Sequence, residues 1–173
     1  MNKSCFRSIV SAHKLAFFII LAAVASASAA LLTPGTGISA FVQARASFVD
    51  PTDIKFKIGN GEQEVIHVPD ARETVVQQIT IGPGGATGWH SHPGPVVILI
   101  KAGEMSFYDG DDPTCTVRTY TAGQAFVDKG QGHVHIARNE STTQNLEVWA
   151  TYFDVPPAGA FRIDAPPPGN CPF

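Results

Sequence analysis

From residue 53 onward the chain is a succession of short apolar-rich runs divided by turn signals. Asp53–Ile58, Glu64–Val68, Thr74–Ile81, Trp89–His92 and Val96–Lys101 each read as a strand. So do Met105–Tyr108, Cys115–Thr121, Gln124–Asp128, His133–Arg138 and Leu146–Val155. Asn60-Gly61, Gly82-Pro83-Gly84-Gly85, Ala102-Gly103 and Asp109-Gly110-Asp111-Asp112-Pro113 fall between them, each a composition that turns favour. No later stretch carries a long 3.6-residue apolar period, so helices are not expected. Many short strands at regular spacing predict an all-β sandwich or barrel. Val96 to Ile100 is apolar at every position and needs cover on both faces. One cover is the barrel interior. The other is a second sheet or a second copy of the chain, which makes a homodimer a candidate.

Length and composition narrow the class. A chain of 173 residues suits one domain with a real core. Only 16% of residues are charged, and Gly and Pro are plentiful. That composition fits a compact, loop-rich protein and not a disordered one. The formal net charge is −3 and no Lys/Arg stripe exists, which argues against a nucleic-acid partner.

The first residues read as a separate object. Lys3, Arg7 and Lys14 make a positive region, Leu15 to Val24 an apolar one, and Ala25-Ser26-Ala27-Ser28-Ala29 two cleavage frames. This is the pattern of a secretory signal peptide over residues 1–29. The alternative, an uncleaved anchor, needs about 20 apolar residues, and the run fades before that. Cleavage removes three cations and no acids, taking the formal charge from −3 to −6. The expected organisation is a leader (1–29), an irregular lead-in (30–50), a β-barrel (51–155) and a proline-rich tail (156–173). The expected location is secreted or periplasmic, with no membrane contact once the leader is gone.

Cleavage also removes Cys5 and leaves Cys115 and Cys171, an even pair in an oxidising compartment. A disulfide between them would tie the tail to the body. Closing a loop of about 56 residues stabilises by roughly 4 kcal/mol on the chain-entropy model. Two thiolate metal ligands are the alternative, but no Cys-x-x-Cys accompanies them.

The strongest chemical signal is histidine spacing. His90 and His92 lie one residue apart, on one side of a strand. His135 follows some 40 residues later in another strand-like run. Three imidazoles converging inside a barrel make a divalent-metal site. The alternative assigns them to a polar rim or to satisfied core positions. His133 shares a face with His135 and is a candidate catalytic residue, either a proton carrier or a strand-end surface group.

These residues resemble the cupin family. Its first motif, G(X)5HXH(X)3-4E(X)6G, is met by Gly84, His90, His92 and Gly103, with Val96 where the motif has glutamate. Its second, G(X)5PXG(X)2H(X)3N, is met in its latter half by Gly132, His135 and Asn139. Gly123 is one residue too far upstream, and Gly130 replaces the proline. The resemblance covers residues 84–139. It implies a jelly-roll, or double-stranded β-helix, barrel around one divalent transition metal (Fe, Cu, Mn, Ni or Zn) held by His90, His92 and His135.

Val96 can neither ligate nor act as a base. The site then has three neutral ligands and carries nearly the full charge of the ion. Three-histidine cupins include thiol and diketone dioxygenases, so the resemblance implies a metal-dependent oxidoreductase on a small molecule. A non-catalytic metal- or ligand-binding cupin is the second expectation. A sensory domain is a third, weakened by the leader and by the lack of a DNA-binding segment. Glu147 and Asp128 are candidates to replace the missing carboxylate.

Smaller signals have structural readings. Asp109-x-Asp111-Asp112 lacks the glycine and terminal glutamate of a calcium loop and reads as a hairpin turn. Asn139-Glu140-Ser141 is a glycosylation sequon, but its Asn is also the second-motif Asn, which favours a structural role. Trp89, Met105, Phe107 and Phe126 read as packed core.

Overall fold

The structure, a computed structural model, describes residues 31–59 and 64–173. The leader with Cys5 and the Asn60-Gly61 turn lie outside the described residues. Among the described residues the fold is all-β, a jelly roll of twelve strands. No helix there is long and apolar enough to cross a membrane.

The strands are β1 (Thr36–Ser47), β2 (Ile54–Ile58), β3 (Glu64–Val68) and β4 (Glu73–Ala86). They continue as β5 (His90–Ser91), β6 (Val96–Ala102), β7 (Glu104–Asp109) and β8 (Arg118–Thr121). The last four are β9 (Ala125–Asp128), β10 (His135–Arg138), β11 (Leu146–Val155) and β12 (Ile163–Asp164). All pairings are antiparallel. One layer runs β1-β4-β11-β6-β9 and the facing layer β12-β5-β10-β7-β8. β4 joins the two, because its end bends over to pair Ala86 with Arg138 of β10. β2 and β3 form a separate hairpin.

Alternation in the sequence explains the core. Val96, Ile98 and Ile100 of β6 are buried, as are Leu146, Val148, Ala150 and Tyr152 of β11. Val75 and Ile81 of β4 and Met105 and Phe107 of β7 fill the same interior. Burying one such aliphatic or aromatic side chain is worth about 1.5–3 kcal/mol. The other face of β6 is not deeply covered, and Leu99 is 45% exposed there.

Three stretches differ from the sequence expectation. Residues 36–47 are not irregular: they form the 12-residue β1, paired along β4. Ile38, Ala40, Val42, Ala44 and Ala46 do alternate along it, but every residue of β1 is exposed, so the strand rests on pairing with β4 more than on burial. β4 runs through the expected Gly82-Pro83-Gly84-Gly85 turn to Ala86. The tail is not merely tied down: it supplies β12, which pairs with β5. Cys115 and Cys171 are joined by a disulfide, with Cα atoms 5.3 Å apart.

Candidate metal centre

His90 and His135 face each other directly across the β5–β10 pair. His92 follows β5 and turns back to the same side. Ring centroids lie 4.8 Å apart for His90–His92, 4.4 Å for His90–His135 and 5.1 Å for His92–His135. One nitrogen from each ring falls within 4.8 Å of the others. All three side chains are buried.

The surroundings set the ring orientations. Nδ1 of His90 donates to the Gly88 carbonyl at 2.9 Å, and Nδ1 of His92 to the Phe161 carbonyl at 2.7 Å. A carbonyl can only accept, so both rings carry the proton on Nδ1 and leave the Nε2 lone pair free. Nδ1 of His135 makes no hydrogen bond, and Asp128 Oδ1 stands 3.4 Å from it. Gly88 sits at φ +72°, and a Cβ there would collide with the Thr33 carbonyl oxygen. Only glycine fits that corner, which fixes the acceptor for His90. The ring of Phe107 stacks on His135 at 4.9 Å, and that of Tyr152 meets His92 at 5.1 Å.

Electrostatics keep the triad neutral. Burial pushes the pKa of His90 well below the ordinary histidine value, and the neighbouring imidazoles add to it. Burial lowers His92 as well, against the pull of Asp128. His135 is pushed down to about 3, again chiefly by burial. Neutral imidazoles with a free nitrogen are what a divalent ion requires. The donor set therefore fits a metal.

The three rings border a small chamber of about 40 Å³, otherwise lined by Ile79, Ile81, Val96, Ile98, Phe107 and other chiefly apolar residues. Among the described residues no carboxylate lines it. Glu147 points to the outer face of β11, bonded to Gln78, Lys101 and the Trp149 indole, so it is not the missing ligand. Asp128 is paired with Val96 across β6–β9, stands 3.4 Å from Nδ1 of His135 and is not among the residues lining the chamber. Asp128, His133 and His135 form a second group whose donor atoms lie within 4.8 Å of one another.

His133 stands behind His135, with ring centroids 5.8 Å apart. Its Nδ1 meets Asp128 Oδ1 at 2.9 Å and its Nε2 meets Asp109 Oδ1 at 2.6 Å. Burial works against its charge, but these two carboxylates outweigh that and raise its pKa. Asp109 is itself held by Arg118 at 3.1 Å. His133 borders surface hollows and not the chamber, so the structure does not bring it onto the free side of the triad.

The departure from proline at residue 130 has a local cause. Gly130 sits at φ +60°, which a proline ring cannot reach. Its N–H, absent in proline, donates to Asp128 Oδ2 at 3.1 Å. Sequence reading missed this, and it missed the Phe161 carbonyl, because a backbone group carries no side-chain signal.

Other candidates resolve as structure. Asn139 is buried, its amide nitrogen reaching the carbonyls of Ile81, Gly82 and Gln144. Asp109 and Asp112 accept backbone N–H groups within their turn. Trp89 is fully buried and stacked with Phe173.

No family model and no curated protein matches the chain. Solved structures similar to it are cupin and double-stranded β-helix proteins. The polyketide cyclase RemF from Streptomyces resistomycificus is 18% identical, with a TM-score of 0.43, over 53% of this chain and 60% of that one. A double-stranded β-helix protein from Klebsiella pneumoniae is 24% identical, with a TM-score of 0.43, over 53% and 74%. A cupin domain from Bordetella pertussis is 20% identical, with a TM-score of 0.40, over 61% and 97%. The fold is carried by the strand order and register described above. The activity named for the cyclase is a property of that protein.

Proposed function

We propose that the chain holds one divalent transition metal through His90, His92 and His135 and acts as a metal-dependent oxidoreductase of the dioxygenase type on a small molecule. One observation carries the metal reading: three buried, neutral imidazoles converge, and two of them have Nδ1 anchored on a carbonyl. The metal supplies Lewis acidity and, if it is iron, copper, nickel or manganese, redox chemistry. The protein supplies a dry wall around it and an approach for a ligand.

That approach is a groove of about 440 Å³ leading to His90 and His92. Its volume lies in the range of small-molecule sites, about 300–1,000 Å³. Ile38, Ala40, Ile79 and Phe161 give it apolar walls, and its polar groups include Gln77, Asp164 and Arg162, the last paired with Asp164 at 2.8 Å. Three neutral ligands leave the charge of a divalent ion uncompensated. An anionic or strongly oxygen-donating small molecule is therefore the ligand class.

A second reading is a binder without turnover. It is favoured by the absence of a carboxylate base among the residues lining the chamber. The Cys115–Cys171 disulfide supports export to an oxidising compartment for either reading. A homodimer through the outer face of β6 is a separate proposal, checked by sedimentation.

The test is metal content of mature protein beside His90→Ala, His92→Ala and His135→Ala. One equivalent in the parent and loss in each variant is expected. Full occupancy in all three variants would overturn the site. Iron, copper, nickel or manganese with ligand-dependent oxygen uptake supports the enzyme. Zinc without turnover supports the binder.

A further inference from the structure

The tail beyond β11 is built into the centre. It runs from Pro156 along the barrel to Phe173 and makes contacts at three levels. Near its start, the Phe161 carbonyl accepts from Nδ1 of His92 at 2.7 Å. In its middle, β12 pairs Ile163 with Ser91 and Asp164 with His90, so it lies against the strand carrying His90. The Ala165 N–H extends that pairing to the Trp89 carbonyl at 3.0 Å, and Arg162 holds the Thr87 carbonyl at 2.7 Å. Phe161, Arg162 and Asp164 also form one wall of the groove that leads to His90 and His92.

Sequence alone gives this segment little to hold it. Ile163 is 49% exposed, and β12 contributes only two paired residues. The end of the tail is anchored instead. Cys171 is bonded to Cys115 in the loop before β8. Phe173 packs against Trp89 and Tyr108, and the Arg138 guanidinium lies over its ring at 4.4 Å. Asn170 donates to the carbonyls of Asp109 and Asp112.

We propose that residues 156–173 are a positioning strap for the metal ligand His92 and that the Cys115–Cys171 disulfide is its latch. Opening the latch leaves the end of the strap on the Phe173 and Asn170 contacts alone, and the weakly paired middle then loses register on β5. His92 loses the acceptor that sets its tautomer and ring plane, and the groove loses a wall. The step is thiol–disulfide exchange: two electrons and two protons from an external dithiol reduce Cys115 and Cys171 to thiols, and the dithiol becomes the disulfide. Metal retention is thereby coupled to the redox poise outside the protein.

This inference rests on the proposed metal site, so the experiment reads the strap in two ways. The first uses cobalt(II) as a probe on the oxidised parent, the Cys115→Ser, Cys171→Ser double variant, and parent reduced by a dithiol that is then removed under argon. Loss of a hydrogen-bond partner to a metal-bound histidine costs roughly 10–100-fold in metal affinity. The expected result is weakening of that size in both latch-open forms, a changed visible cobalt spectrum, and recovery when the reduced parent is re-oxidised. Equal affinity and an unchanged spectrum in all three would overturn the proposal.

The second reading needs no metal: imidazole nitrogen-15 shifts of His92, and hydrogen exchange of the Ala165 amide, in metal-free protein. Opening the latch should make His92 sample both tautomers and speed exchange at Ala165. A His92 fixed as the Nδ1–H tautomer with a protected Ala165 amide would overturn the strap. Should the parent bind no cobalt, the metal site fails and these metal-free signals alone decide the strap. Reduction of folded parent keeps the test open if the double variant does not fold.

Discussion

The N–H of Gly130 donates to Oδ2 of Asp128 across 3.1 Å, in a backbone conformation with φ +60°. Oδ1 of the same carboxylate meets His133 at 2.9 Å and stands 3.4 Å from Nδ1 of His135. One glycine thus aims the acid that lies behind a metal-ligand candidate. Gly130→Pro removes the donor and demands a negative φ. Leaving a buried carboxylate oxygen short of its donor costs about 1–3 kcal/mol, and backbone strain adds to that. Gly130→Ala keeps the N–H but brings a Cβ against the Gly94 carbonyl. Urea titration should show both variants destabilised.

Asp128→Asn tests the acid itself. Its carboxyl is held below the usual range: burial opposes the charge, but His135 and then His133 outweigh it. The amide keeps the shape and loses the charge. Metal affinity should fall with the fold intact, because the negative charge 3.4 Å from Nδ1 of His135 is gone. Isothermal titration with a divalent metal measures it, and unchanged affinity would remove Asp128 from the centre.

Stability of the metal-free protein should fall with acid. His90, His92 and His135 all have pKa values lowered by burial, His135 to about 3. Below about 6.5 the unfolded chain takes protons that the folded triad refuses, so stability is lost from there down towards pH 3. His133 has the opposite sign: its raised pKa stabilises below about 6.5 and fades as pH rises. Three groups oppose one, so the net slope is downward with acid. Tm measured from pH 8 to 4 should decline, beginning near pH 6.5, and a flat profile would contradict a buried neutral triad.

Metal uptake at pH 7 should release less than one proton per ion. The three imidazoles are already neutral there, so the ion displaces little. Titration heats in buffers of different ionisation enthalpy count the protons directly.

Asn139→Ala should destabilise by about 1–3 kcal/mol, because the carbonyls of Ile81, Gly82 and Gln144 lose their shared donor. The same burial predicts that the Asn139-Glu140-Ser141 sequon stays unglycosylated in a glycosylating host, which mass spectrometry reads.

Most of the short strands and the identity of the three histidines are properties the sequence by itself determined. β3 and β11 were legible to the residue because alternation of buried and exposed positions is written in residue type. His-x-His and the later histidine stand out as a candidate set in the sequence, but the pairing of His135 with His90 and the turn that carries His92 after β5 do not. Tertiary structure decided what depends on partners distant in sequence. β1 carries an apolar alternation but buries none of it, and it is fixed by pairing with β4. Glu147 and Asp128 were equal candidates in sequence. Strand facing sent one outward to Lys101 and the other behind His135. The acceptors that orient His90 and His92 are backbone carbonyls of Gly88 and Phe161. Every residue has such a carbonyl, so only the path of the chain could say which two would meet those rings.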